Sequence, residues 1–132
     1  MQSGGRSVVH FGGAWMDGKT PIMTANTHGA WLGSMVFDGG RIYRRLGPDL
    51  DLHCARAVVS ARRIGLAPQL DGPAIERLAW EGADHFGDDA ELYVRPMFWA
   101  EDGPLAPAPE TTRFALYLEE AKLPAATGFT AC

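Results

Sequence analysis

The first third of the chain alternates short apolar pieces with turn signals. Val8 to Phe11 and Trp15-Met16 are two such pieces, followed by Gly12-Gly13 and Asp17-Gly18-Lys19. The second of these turns resembles a hairpin turn. Ile22 to Thr27 and Ser34 to Phe37 are also β-favouring. After Phe37, Asp38-Gly39-Gly40 turns the chain into Arg41-Ile42-Tyr43, where apolar and polar residues alternate. The pattern predicts an antiparallel meander.

The period then changes. Gly47-Pro48-Asp49 is a loop that offers Asp49 or Asp51 as a helix cap. Leu50, Cys54, Ala55, Val58 and Ala61 recur at helical spacing up to Gly65, a C-terminal stop. A second helix opens at Gly72-Pro73, where proline suits the first turn, and Gly87-Asp88-Asp89 ends it. Its apolar face is Ile75, Leu78, Ala79, Gly82, Ala83 and Phe86.

Glu91 to Ala100 (ELYVRPMFWA) reads as a strand. Alternation puts Tyr93, Arg95, Met97 and Trp99 on one face and Leu92, Val94, Pro96 and Phe98 on the other. The loop Glu101 to Glu110 carries Pro104, Pro107 and Pro109, which bars regular structure. Arg113 to Glu119 reads as a last strand, with Phe114, Leu116 and Leu118 on one face. Gly128-Phe129-Thr130 reads as the start of another. Strands, two helices and strands again predict an α+β fold, an antiparallel sheet with both helices on one face.

Composition narrows the picture. At 132 residues the chain is one domain, with an ordinary apolar share of 46%. A formal net charge of −4 gives no basic footprint and argues against nucleic acid as a partner. No apolar run reaches membrane-spanning length, and the N-terminus lacks the apolar stretch of a signal peptide. A cytoplasmic protein is the expectation. Cys54 and Cys132 allow one bridge at most, and Cys54 reads as a reduced core thiol. The four histidines show no ligand spacing, so no metal site is expected. No glycine pattern of a nucleotide-binding loop is present, and no nucleophile is paired with a base.

Two arginines stand out. Arg95 lies on a mostly apolar strand among aromatic residues, and an unpaired charge there is costly. Its partner is either the carboxylate of a ligand or one of the sixteen acidic side chains of the chain. Arg56 shares a helix face with Leu52 and Val59, next to the buried stripe. It either reaches inward to hold a phosphate or lies on the surface with an apolar stem.

Three stretches together resemble the class IV (fold type IV) pyridoxal-phosphate aminotransferases, and the branched-chain enzymes fit best. His28-Gly29-Ala30-Trp31-Leu32-Gly33-Ser34-Met35-Val36-Phe37-Asp38-Gly39-Gly40-Arg41 resembles the H-x-x-x-Y-G-x-x-V-F-E-G-x-R element of that family. Leu52-His53-Cys54-Ala55-Arg56, with Ser60, resembles a compressed form of its L-x-x-H-x-x-R-L-x-x-S helix. Tyr93-Val94-Arg95-Pro96 resembles its Y-I-R-P strand. The resemblance runs from Trp15 to Gly128. Leu32 replaces a tyrosine of the branched-chain enzymes, which removes a hydroxyl from the pocket wall. Asp38 replaces a glutamate.

The resemblance implies that residues 1–132 are an N-terminal small domain and that the Schiff-base lysine belongs to a C-terminal domain outside this chain. Neither Lys19 nor Lys122 matches that lysine. It implies pyridoxal 5'-phosphate as cofactor, with Arg56 on its phosphate, and no catalytic residue in this chain. It assigns Phe37, Gly39, Tyr93 and Arg95 to the substrate wall. It implies amino acid and 2-oxo acid substrates, branched-chain amino acids and 2-oxoglutarate first among them. D-amino acid and R-amine transaminases and aminodeoxychorismate lyases share the fold and stay open, as does a non-catalytic binding or assembly module. The family forms homodimers, and the proline-rich loop corresponds in position to one that reaches the partner subunit's active site. A domain that leaves its apolar docking face uncovered should self-associate. Sedimentation of the 132-residue chain at high concentration is expected to show species larger than the monomer.

Overall fold

The computed structural model describes residues 5–128, 130 and 131. Six strands form one antiparallel sheet: β1 (Ser7–Phe11), β2 (Ala14–Asp17), β3 (Met35–Phe37), β4 (Gly40–Tyr43), β5 (Glu91–Ala100) and β6 (Thr112–Glu120). Between them lie a one-turn helix α1 (His28–Trp31) and two longer helices, α2 (Leu50–Arg63) and α3 (Gly72–Ala83). The α+β reading holds, with both long helices on one face.

The order across the sheet is β2-β1-β6-β5-β3, and β4 also pairs with β5. The last strand thus lies in the middle, between β1 and β5. The predicted meander does not form. β1 and β2 make a hairpin through Gly12-Gly13, while β3 and β4 lie end to end along the far edge of β5. Asp17-Gly18-Lys19 is a turn that leaves the sheet rather than a hairpin turn.

Pro96 marks where one edge partner gives way to the other. β3 covers Met97 to Trp99, and β4 covers Glu91 to Val94. A single bond from the Asp38 N–H to the Pro96 carbonyl, 3.2 Å long, spans the break. In a strand the N–H and C=O of one residue point to the same side. The N–H that proline lacks would therefore point into this break, where no ladder bond is lost.

The predicted faces of β5 hold. Leu92, Val94, Phe98 and Ala100 join Leu116 and Leu118 of β6, Val8 of β1 and Ile42 of β4 in the main core under the helices. Leu50, Cys54, Ala57, Val58 and Ala61 of α2 and Ile75, Ala79 and Ala83 of α3 complete it. Full burial of residues such as Leu50 and Ile75 contributes about 1.5–3 kcal/mol each. On the other face Val9, Trp99 and Ala115 form a smaller cluster, flanked by Met16, Ile22, Met23, Met35 and Met97.

Local chemistry sets the helix ends. The Asp71 carboxylate caps α3 by accepting from the Ala74 N–H at 2.9 Å. Asp49 stands at the cap position of α2, but its backbone is left-handed and its side chain makes no cap bond. At the other end of α2, Gly65 adopts φ 87°. Its N–H bonds Arg62 O, and that of Leu66 bonds Ala61 O, which is a Schellman stop. α3 ends at Ala83, earlier than Gly87.

The strand expected over Ile22 to Thr27 is absent. The segment closes on itself, with Thr24 N–H on Thr27 Oγ1 and Thr27 N–H on Thr24 O. Threonine and asparagine side chains compete here with a ladder, and α1 follows. Gly128 and Thr130 are not in a strand, and Phe129 lies outside the described residues. Cys132 also lies outside them. Cys54 itself is a buried free thiol. Burial first, then the charges of Glu76, Asp38 and Asp51, push its pKa up to about 12.

Gly82 sets the distance between α3 and the sheet. A methyl group there would overlap the Trp15 ring and press to 3.0 Å from both Leu118 methyls. Gly82→Ala raises helix propensity by about 1 kcal/mol. We expect overpacking to win, with a net destabilisation of about 1 kcal/mol or more in denaturant unfolding.

Candidate functional site

The face of the sheet away from the helices carries the polar chemistry. Register places Arg41, Tyr93 and Glu119 in one row across β4, β5 and β6. Arg95 and Tyr117 form the next row, and Phe37, Met97 and Ala115 the one after it. These rows bring together three of the five residues singled out in the sequence, Phe37, Tyr93 and Arg95, and a fourth, Gly39, lies against the Tyr93 ring. Phe37 is 61% exposed, so this face presents an open apolar wall.

Gly39 shapes that wall. A Cβ at this position would lie 3.1 Å from both the Tyr93 hydroxyl and a ring carbon. Glycine thus lets the Tyr93 ring rest against the backbone of the break.

Arg95 makes no ion pair among the described residues, so the structural ion pair weighed from the sequence does not form here. Its guanidinium lies over Tyr117, 4.7 Å from the ring centroid, and 6.0 Å from that of Tyr93. Such stacking stabilises a cation by about 0.5–2 kcal/mol and orients it without using its N–H groups. The buried Nε has no hydrogen-bond partner. A buried donor in that state costs about 1–3 kcal/mol until it is met. Arg41, by contrast, donates to the Ala121 carbonyl.

The fifth residue, Arg56, sits apart. It projects from α2 onto Asp38, on the helix side of the break. The pair is bidentate: Nε donates to Oδ2 at 2.6 Å and Nη2 to Oδ1 at 2.8 Å. Asp38 also accepts from His53 Nδ1 at 2.8 Å and from the Gly39 N–H at 2.9 Å. A carboxylate can only accept, so this shorter contact puts the proton on Nδ1 of His53, and the 3.2 Å approach of Arg56 Nη2 to the same nitrogen is then not a hydrogen bond. Burial works against the Asp38 charge, but the bonds from Arg56 and His53, the Arg56 charge and the Gly39 N–H outweigh it and hold its pKa below the ordinary value. The Asp38 bond raises the pKa of Arg56, and the Asp38 charge raises it further. The Arg56 side chain stays 64% exposed, which leaves the Nη1 end free to meet an anion.

The sequence reads Asp38 as a replacement for a glutamate and His53 as a motif position. Neither was read as a partner of Arg56. The helical offset of His53 and Arg56, three residues apart, was the available signal for one shared acceptor.

The proline-rich loop is tied down at its base. The Glu101 carboxylate accepts from Thr27 Oγ1 at 3.0 Å and from the Trp99 indole at 3.3 Å. His28, 2% exposed, donates from Nε2 to the Pro104 carbonyl at 3.1 Å, while its Nδ1 meets Ser34 Oγ at 2.7 Å. The loop stands beside α1, and exposed Leu105, Trp31 and Leu32 belong to this end of the molecule. No metal-ligand cluster occurs among the described residues, and no helix there is long and apolar enough to cross a membrane.

The model of the amino-transferase class IV family matches residues 35–128, the stretch from β3 through the break, both helices, β5 and β6. The chain belongs to the class IV aminotransferases. An aminotransferase of Brucella abortus, solved with the co-factor PLP, is 44% identical, with a TM-score of 0.91 over 95% of this chain and 46% of its own. A branched-chain aminotransferase of Thermoproteus uzoniensis is 20% identical, with a TM-score of 0.71 over 86% of this chain and 40% of its own. That of Escherichia coli is 17% identical, with a TM-score of 0.75 over the same shares. The last two likenesses are of fold alone. This class IV chain spans less than half the length of each. No curated protein matches it.

The Asp38 pair has a pH signature. With its folded pKa depressed, Asp38 contributes stability that is full above the unfolded value near ~4 and lost as pH falls through the folded one. Asp38→Asn should cost about 1 kcal/mol at neutral pH, kept small by the exposure of Arg56. It should also flatten the decline in stability below about pH 4 that the parent chain shows in urea titrations.

Proposed function

We propose that this chain is the small domain of a PLP-dependent transaminase and supplies its carboxylate-reading wall. One observation carries the reading: Arg95 is held over Tyr93 and Tyr117 with a buried donor unmet, beside Phe37 and Gly39, in a class IV chain. A carboxylate meets a guanidinium with two parallel hydrogen bonds and relieves that cost. Branched-chain amino acids with 2-oxoglutarate are the substrates we put first. The exposed Phe37 wall suits an apolar side chain, and the protein is taken as cytoplasmic.

The residues present fit the cofactor in part. Arg56 would donate to its phosphate from the end that Asp38 leaves free, while the bidentate pair fixes the fork. The pair is neutral overall, so further phosphate contacts must come from elsewhere in the protein. When bound, PLP acts as the electron sink for the group transfer. Here Tyr93 and Gly39 shape the wall, Arg95 orients the substrate carboxylate, and Phe37 keeps water from its side chain. Lys19 follows the outermost strand and Lys122 is exposed beyond β6, so the lysine that carries the cofactor is expected outside these residues. The exposed Trp31, Phe37, Leu52 and Leu105 support a homodimer or a partner domain as their cover.

The test uses the protein that contains this chain, assayed with 2-oxoglutarate and L-leucine, D-alanine or an R-amine, and with aminodeoxychorismate for lyase activity. L-leucine is expected to be the best amino donor. Arg95→Ala should raise KM for carboxylate substrates tenfold or more, about 1.4 kcal/mol, and Arg56→Ala should weaken PLP retention. A preference for D-alanine, an R-amine or aminodeoxychorismate would move the activity to the matching relative, and no turnover at all would support a binding module. The 132 residues alone are expected to transfer no amino group.

A further inference from the structure

The Asp38 cluster holds a third group that the phosphate reading leaves unused. His53 stands on α2 one turn before Arg56, and its Nδ1 donates to the same Asp38 oxygen that Arg56 Nη2 meets. Its Nε2 takes part in no hydrogen bond among the described residues, and its side chain is 26% exposed. The ring also rests against Gly40, where a Cβ would lie 3.5 Å from His53 Cβ and Cδ2. The tautomer is thereby fixed, with Nε2 as the free nitrogen.

The charges around this ring come from several elements. Asp38 belongs to the break, and Arg56, Asp49 and Asp51 to the helix end that carries His53. Glu76 of α3 acts, with Asp38 and Asp51, on the adjacent Cys54. β4 and β5 face α2 with glycine or apolar residues and turn Arg41, Tyr43, Glu91, Tyr93 and Arg95 to the far face.

A histidine changes charge between about pH 5 and 8. Asp38 stays ionised there: burial opposes its charge, but its donors hold its pKa below the ordinary value. A proton taken up by the ring falls on Nε2, because Nδ1 already carries one. The group of Asp38, Arg56 and His53 then passes from neutral to singly cationic and gains a donor. Arg56 Nη2 and His53 Nδ1 are 3.2 Å apart. The outer nitrogens, Arg56 Nη1 and His53 Nε2, lie one fork width and one ring width from that contact, within the span of one tetrahedral anion.

We propose that His53 is a second, proton-gated donor to the phosphate that Arg56 meets. The site is a neutral pair at high pH and a cationic triad at low pH. Its hold on a phosphate therefore falls as pH rises through the titration of the ring. This rests on Arg56 meeting a phosphate, and it adds positive charge where the Arg56–Asp38 pair brings none.

The test is calorimetric binding of sulfate, whose charge is constant in this range, to the protein that contains this chain, freed of PLP. Sulfate is expected to bind about tenfold more tightly near pH 5.5 than near pH 8.5, as one charge-assisted hydrogen bond allows. In buffers of different ionisation heat, binding near neutral pH should take up a fraction of a proton. In His53→Asn, whose amide can keep the bond to Asp38, the ratio should fall to near one and the uptake should drop. The other histidines are common to both proteins, so the difference belongs to His53. His53→Gln serves as a second variant, and circular dichroism checks that each is folded. No proton uptake by the parent, or an equal affinity ratio in a folded variant, overturns the role of His53 and leaves Arg56 in place. No sulfate binding at either pH, or binding that Arg56→Ala does not weaken, overturns both.

Discussion

The site depends on a proline in the interior of a sheet. Pro96 has no N–H to give, and that gap faces the edge where β3 stops and β4 begins. A continuous edge strand would have to leave one carbonyl unpaired there. Two short strands with a bend between them avoid that cost. The bend is Asp38-Gly39, and its residues serve opposite faces: Asp38 gathers Arg56 and His53 on the helix side, while Gly39 backs Tyr93 on the other. The break in the ladder and the shape of the site are therefore one feature.

The two faces of the sheet are built on different principles. Under the helices the core is aliphatic and closed, and Gly82 lets α3 come down onto Trp15 and Leu118. On the far face the cluster around Trp99 is small, and polar residues share the surface with methionines and aromatics. Stability is concentrated in the first layer. That leaves the second free to carry one unmet buried donor, Arg95 Nε, which a marginal fold could not otherwise tolerate. Membership of the class IV aminotransferases gives that surface its chemical setting.

Much of this was legible from the residues. Alternation fixed the two faces of β5 and β6, and helical spacing found most of the buried sides of α2 and α3, although on α2 Ala57 is buried and the expected Ala55 is exposed. Periodicity says which side is buried but not which strand lies alongside, so the placing of β6 between β1 and β5 was out of its reach. Ile22 to Thr27 failed as a strand because its own threonines satisfy its backbone. In the site, the Tyr93–Arg95 face was evident from one strand. The Asp38 partnership joins residues 15 and 18 positions apart across two elements, and no local pattern announces it.

The moorings of the proline-rich loop divide it into two parts. Glu101 and His28 fix where the loop leaves the sheet and where it passes Pro104. Leu105, 87% exposed, lies just past the last of these ties. Direction is thus decided at the root and surface chemistry at the crest. Substitutions at the crest can change what the loop touches without changing where it points, so this short stretch can diverge while the sheet beneath it stays the same.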